Sequence, residues 1–292
     1  MARYELTGRT VAITGSLGGL GRAVATALRK RGANLALMDL DLNGVTEQAM
    51  QLGGEGCARG WRVNVRSLES LETAMAGAAK HFGRIDVVLA NAGIDTIAPM
   101  ATIEPEAYER VIDINLNGVW RTFRAALPYV QAERGYMAAT SSMAAFFHSP
   151  LQASYTASKA GVWAMCDSIR LELRHLGVGV GSIHPTFFPT PMTDDIVADA
   201  AGNRLWRGNK GGFWKMVPLD LVVDEIVRGI ERRADMIVVP KSSTIFAKAA
   251  GFFRPVMERF GFQENDIEDA IKLASASGWH DKSAIERNRE TQ

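Results

Sequence analysis

Short, uninterrupted apolar runs alternate with longer segments of helical spacing along most of this chain. Thr10–Thr14 (TVAIT) predicts a strand, 19–31 a helix stopped by Gly32, Asn34–Asp39 a strand, and 43–52 a short helix. Residues 56–63 predict a third strand, Leu68–Phe82 a helix stopped by Gly83, and 85–90 a fourth strand. The pattern continues with a long helix over 105–124, a strand over 135–141, a helix over 154–176 and a strand over 178–184. An irregular stretch with Pro185, Pro189 and Pro191 follows, then a helix over 218–232 and a last strand at Met236–Val239. Strands apolar at every position are buried on both faces, which needs helices on each side of a parallel sheet. The repetition predicts βαβ units and one doubly wound, Rossmann-type α/β domain over 1–241. Residues 242–292 form an extension, partly helical, and strongly charged and loose over 281–292.

The 292 residues suffice for one large α/β domain, and the formal net charge of +1 points to no nucleic-acid partner. Cys57 and Cys166 lie far apart without metal-ligand spacing, so free thiols in a reducing compartment and no metal site are expected. The N-terminal MARYELTGRT carries charges rather than a long apolar core, and no run of apolar residues is long enough to span a bilayer. A cytoplasmic protein is expected.

The first strand runs into Thr14-Gly15-Ser16-Leu17-Gly18-Gly19-Leu20-Gly21. Glycine at 15 permits a tight turn, at 19 a close approach to a pyrophosphate, and at 21 close packing of helix on strand. The helix N-terminus offers unpaired N–H groups to an anion. Expected cofactor contacts here are Gly15, Ser16, Leu17, Gly19, Leu20 and Gly21. Asp39 ends the second strand, where an acid accepts hydrogen bonds from ribose hydroxyls and repels a 2′-phosphate. No basic residue lies between Gly15 and Gly21, and Leu40 follows the acid, which favours NAD over NADP. Alternatively Asp39 is only a solvated strand end, and Asp41 or Arg22 sets the preference.

Tyr155 and Lys159 are four residues apart on a predicted helix and so share a face. An ammonium near a phenol stabilises the phenolate and lowers its pKa, the tuning needed to exchange a proton with an alcohol or ketone. Ser142, at the end of a predicted strand, would point into the crevice where ligands of parallel sheets bind and donate to a carbonyl oxygen. Ser141 is the alternative serine.

Taken together, the glycine loop, Asn91-Ala92-Gly93, Asn115 within VIDINLNGV, Ser142 and Tyr155-Thr-Ala-Ser-Lys159 make residues 6–240 resemble the short-chain dehydrogenase/reductase family. The resemblance implies a Tyr general acid/base and a Lys that lowers its pKa and holds the nicotinamide ribose. It also implies a Ser that orients the substrate oxygen and an Asn, here Asn115, that anchors a water in a proton relay; Asn117 is the alternative position. It adds Asn91, Ala92 and Gly93 on the adenine–ribose side, Asn64 and Val65 near adenine, and Pro185, Phe188 and Thr190 near the nicotinamide. Asn64 stands where many members have Asp, and Pro185-Thr186 where the family usually has Pro-Gly. A homodimer or homotetramer, with contacts through the helices around Asn115 and Tyr155, is also implied.

Phe146-Phe147-His148, Phe187-Phe188, and 192–216 with Trp206, Phe213 and Trp214 should border the substrate, with about 190–216 as a mobile lid. So many aromatics suggest a hydrophobic or ring-containing substrate, unless half of them pack the core. His148 and His184 read as structural. Residues 242–262 could cap the pocket, enter a subunit interface or touch a membrane, with Pro255 breaking or starting a helix; the cap or interface is favoured. The expected reaction is reversible interconversion of a secondary alcohol and a ketone. An NAD-retaining epimerase or dehydratase, or a non-catalytic NAD sensor, are the rivals.

Overall fold

The computed structural model describes residues 3–277. Among them, seven strands form one parallel sheet in the order β3-β2-β1-β4-β5-β6-β7. These are β1 Thr10–Thr14, β2 Asn34–Asp39, β3 Ala58–Arg62, β4 Val87–Ala90, β5 Tyr136–Thr140, β6 Gly179–Pro185 and β7 Met236–Val239. Helices α1 (Gly19–Lys30), α2 (Leu42–Gln51), α3 (Leu68–Phe82), α4 (Pro105–Ile112), α5 (Gly118–Ala132) and α6 (Ala153–Leu173) follow in chain order. After β6 come α7 (Pro191–Ala198), α8 (Ala200–Leu205) and α9 (Leu219–Arg232), and after β7 come α10 (Thr244–Lys248), α11 (Ala250–Gly261) and α12 (Glu264–Ser277).

The two-residue period of the strands sorts the apolar runs into two cores. Val11 and Ile13, in register with Leu35 and Leu37 on one side and Val87 and Leu89 on the other, pack under Val24 and Leu28 of α1 and Ile226 and Ile230 of α9. Ala12, Ala36, Met38, Val88 and Ala90 face the opposite side, under Leu71 and Met75 of α3, Phe123 of α5 and Val162 of α6. Helices therefore cover both faces, as the unbroken apolar runs require. Strand order reverses between β1 and β4, and the chain leaves both at their carboxyl ends there, opening the crevice in which such sheets bind ligands.

Four expectations change. The helix over 105–124 is divided by a π-helical segment, Asp113–Asn117, and continues through Pro128 to Ala132. The irregular stretch after Pro185 contains α7 and α8, because local caps stabilise them. Thr190 and Thr193 form a capping box with Pro191 in the first turn, and Asp199 accepts the Gly202 N–H. The break expected at Pro255 falls instead at Ala249, and α11 runs through 255 at the cost of one helical hydrogen bond. Several aromatics expected along the substrate are packed away: Phe146 is 2% and Trp206 1% exposed. The charged stretch at 281–292 lies outside the described residues.

The extension folds back on the region after β6. Ala270 and Ala274 of α12 share a cluster with Leu205, Trp206 and Ile196, and Phe187, Trp214 and Phe262 pack around it. Arg204 pairs with Asp266 and Asp269, and Arg207 with Asp266. Residues 244–250 pack elsewhere: Ala247 and Ala250 join Met143, Phe146 and Val238 beside the chain that follows β5. The clamp of α12 on α8 predicts that a chain ending at Gln263 is cut faster by trypsin after Arg204 and Arg207. Its melting temperature should fall by roughly 5–10 °C, taking about 2–3 kcal/mol for the lost apolar burial. Unchanged cleavage at those two arginines would show that α12 does not hold α8.

Candidate active site

Glycine governs the first wall of the crevice. Gly15 has φ +66, and a Cβ on it would lie 2.7 Å from the Ala92 Cα; a Cβ on Gly21 would lie 2.2 Å from the Gly15 carbonyl oxygen. The turn from β1 to α1 thus lies flush against the chain leaving β4. Helix α1 opens on Gly18 with no side-chain cap and no acid in its first turn. Its free N–H groups and the cradle of glycines fit a phosphate group. Leu17 stays at this rim, its N–H donating to Asp39 Oδ2 at 3.0 Å, whereas the Leu20 side chain, expected at the cofactor, is buried in the core with Val24 and Leu28. Asp39 Oδ1 accepts the Leu40 N–H at 2.8 Å, so the carboxylate braces the loop from the end of β2. Gly19 faces Thr190 and Pro191, where a Cβ would meet both at 3.0 Å. The glycine loop is thereby joined to the chain after β6.

Ser16 departs from expectation. Its side chain is fully buried, its hydroxyl has no hydrogen-bond partner, and its carbonyl accepts from Gln48 Nε2 at 3.0 Å. Ser16 turns into the fold because Gln48 of α2 holds its carbonyl there. Asn64 is exposed, and its Oδ1 accepts the Arg66 N–H at 3.0 Å, closing a turn. Val65 packs against Gly118 at the start of α5. Pro185 ends β6 in register with Val239, the Phe188 carbonyl accepts from Thr193 Oγ1, and Thr190 caps α7.

The second wall is the chain after β4. Asn91 Nδ2 donates to the Gly15 carbonyl at 3.0 Å, and its Oδ1 accepts from Thr140 Oγ1 at 3.1 Å, fastening the carboxyl ends of β1, β4 and β5 together. A Cβ on Gly93 would lie 3.2 Å from Asn115 Oδ1 and 3.4 Å from Lys159 Nζ. Asn115, fully buried in the π-helical segment, grips Ile94 at both backbone groups. Its Oδ1 accepts the Ile94 N–H at 2.8 Å, and its Nδ2 donates to the Ile94 carbonyl at 2.9 Å. Asn117 is exposed and reaches only Asp113. The alternative at 117 therefore fails, while the extra residue per turn of the π segment aims Asn115 inward.

On the third wall, Gln152 is the N-cap of α6, and Tyr155 and Lys159 fall on one face of its first turns. Lys159 Nζ donates to the Thr140 carbonyl at 2.8 Å and sits 5.4 Å from the centroid of the Tyr155 ring. Ser142 lies close enough to the Tyr155 hydroxyl to lower its pKa, while its own Oγ accepts the Ala144 N–H at 3.1 Å. Ser142 follows β5 in extended conformation, and His184 Nδ1 lies 3.2 Å from its carbonyl. Burial pushes the His184 pKa down to about 4, so the ring is neutral at physiological pH and acts as a prop. Ser141 is turned away, donating to the Lys159 carbonyl at 2.8 Å.

The electrostatics correct one expectation. Burial first, and then the Asp95 carboxylate, push the Tyr155 hydroxyl above its ordinary pKa; Ser142 works against them. Burial pushes the Lys159 ammonium down to about 8, with Asp95 opposing. In the protein alone, burial thus outweighs the lowering that the Tyr–Lys spacing predicts. Asp95 was absent from the sequence-based candidates. Its signal is an acid in the otherwise uncharged NAGIDTIAPM segment that follows β4.

A family profile described as short chain dehydrogenase matches residues 9–201. The (−)-trans-carveol dehydrogenase of Rhodococcus erythropolis is 38% identical over 210 residues, covering 66% of this chain and 74% of that protein. The D-threitol dehydrogenase of Mycolicibacterium smegmatis is 30% identical over 218 residues, covering 74% and 80%. A solved short chain dehydrogenase/reductase from Burkholderia phymatum in complex with NAD superposes with TM-score 0.75 at 22% identity, covering 87% of this chain and 96% of that one.

The bonds of Asn115 to Ile94 make it a structural clamp. Asn115→Ala should lower stability by about 2–3 kcal/mol, two to three buried hydrogen bonds, and the melting temperature by roughly 4–10 °C. A melting curve within 1 °C, on the order of 0.3 kcal/mol, would contradict the clamp.

Proposed function

Since the chain belongs to the short-chain dehydrogenase family, whose members bind a nicotinamide cofactor, we propose that it interconverts a secondary alcohol and a ketone with NAD. The observation that carries this reading is the convergence of Gly93, Asn115, Lys159, Tyr155 and Ser142 at the carboxyl ends of β4 and β5. The N–H groups of 19–21 and the glycine cradle would hold the pyrophosphate, and Asp39 the adenosine ribose. Tyr155 would pass a proton to and from the substrate oxygen while the Ser142 hydroxyl orients it. The nicotinamide, when bound, supplies the hydride acceptor or donor.

In this reading Tyr155, protonated at neutral pH by its burial, is set as an acid toward a ketone. Acting as a base toward an alcohol requires more positive charge beside it, and Lys159 lies close enough to provide part of that. The position of Asp39 against the glycine loop supports NAD, because a 2′-phosphate there would meet a carboxylate. The relatives named for carveol and threitol fit the alcohol chemistry.

Two substitutions test this. Tyr155→Phe should reduce turnover by roughly 10³-fold or more, measured as NADH absorbance with a panel of secondary alcohols, while NAD affinity stays within about threefold. Retained turnover would reject the assigned acid/base. Asp39→Ala should shift the NAD to NADP ratio of kcat/KM by roughly tenfold or more toward NADP, one charged contact being worth about 1.4 kcal/mol or more. An unchanged ratio would reject the cofactor choice.

A further inference from the structure

Asp95 is an acid that the alcohol–ketone reaction does not require, placed among the groups that it does. The chain before it is fixed by the Asn115 grip on Ile94, and the chain after it by the Ala98 N–H, which donates to the Leu151 carbonyl at 2.9 Å. Asp95 Oδ1 accepts the Thr96 N–H at 2.7 Å, and Oδ2 accepts from Gln152 Nε2. Gln152 is 4% exposed and is the N-cap of α6, three residues before Tyr155. The carboxylate is therefore held near enough to Tyr155 and Lys159 for its charge to act on both.

Two features suit this carboxylate to a ligand. A carboxylate offers about four lone-pair sites, and these two bonds occupy only two of them. Asp95 is also half-buried, so a molecule in the crevice can reach it. Its deep setting pushes its pKa up to about 7, against the hydrogen bonds from Thr96 and Gln152 and the charge of Lys159. A desolvated carboxylate with unused acceptor capacity favours a donor brought by the substrate.

We propose that Asp95, positioned by Gln152, is a specificity-determining residue that accepts a hydrogen bond from a second hydroxyl close to the reacting carbon. The substrate class is then a vicinal diol or α-hydroxy ketone. This rests on the alcohol–ketone reading above. The reacting oxygen meets Tyr155 and Ser142, and the second hydroxyl meets Asp95. A site built to pair with a hydroxyl discriminates strongly against an analogue that cannot donate, because the buried acceptor is left unpaired.

The test measures binding separately from turnover. The Tyr155→Phe chain, loaded with NAD at pH 8.5 so that Asp95 is ionised, is titrated calorimetrically. The ligands are cis- and trans-cyclohexane-1,2-diol and their mono-methyl ethers, which keep the ring and the acceptor oxygen but replace one donor hydrogen with a methyl group, whose bulk the Asp95→Asn comparison below controls for. The better diol should bind roughly tenfold or more tightly than its ether. Adding Asp95→Asn should bring the two within about threefold. Asparagine can still accept from the Thr96 N–H, and the Gln152 amide can turn to accept from the new NH₂, so the fold is preserved. Melting temperature checks that preservation; a role confined to holding the loop would move it without moving the diol-to-ether ratio. Equal binding of diol and ether, no binding of either, or a preference that survives Asp95→Asn would overturn the proposal. Absence of NADH formation from every alcohol by the unmutated chain would defeat the oxidoreductase reading and leave the binding comparison standing.

Discussion

The site depends on how closely five residues after β4 are held by the elements around them. Asn91 ties to Gly15 and Thr140, Ala92 lies against Gly15, Gly93 leaves room for Asn115 and Lys159, Ile94 is gripped by Asn115, and Asp95 is held by Gln152. No side chain larger than hydrogen fits at 15 without moving the backbone at 92. The cofactor wall and the catalytic wall therefore share one segment. A shift of that segment would widen the phosphate cradle and displace the partners of Lys159 together, because buried hydrogen bonds on both sides constrain it.

The sheet and its covering helices were legible because strands buried on both faces have no polar alternation to confuse them. Thr10–Thr14, Asn34–Asp39 and Met236–Val239 match the expected bounds to the residue. The glycine loop and the Tyr155–Lys159 pair were legible from residue type and spacing, Ser142 from its place at a strand end, and Asn115 only through the family resemblance. What escaped was set by tertiary contact. Nothing local marks Ser16 as buried, since its orientation follows from Gln48 in the next helix. The π segment leaves the apolar pattern almost unchanged while rotating Asn115 relative to Asn117. Asp95 carries no motif, and its importance appears only when Gln152, 57 residues later, closes on it.

The aromatic residues show how a composition argument can misplace its emphasis. Phe146 packs edge-on to Trp163 at 4.8 Å and tilted against His184 at 4.7 Å, so it supports the strand end that carries Ser142. Trp206 fills the seam between α8 and α12. These rings shape the site by holding its walls, which leaves fewer of them to line the crevice. A polar anchor such as Asp95 then has more weight in choosing a substrate than a count of aromatics suggests.

The proton chemistry follows from the same enclosure. Burial raises the Tyr155 hydroxyl and lowers Lys159 to about 8, so removing water drives the two groups apart in proton affinity. In water a phenol and an alkylamine have similar pKa values, but ionising the pair creates charge that the interior resists. The phenol therefore rests neutral, and the Asp95 carboxylate works against burial to keep the ammonium charged. Any cation brought into the crevice favours the phenolate, and any anion held near Asp95 opposes it. A donor hydrogen bond to Asp95 from a ligand would draw charge from that carboxylate and weaken its hold on the Tyr155 proton, linking the group that would select the substrate to the group that would receive its proton.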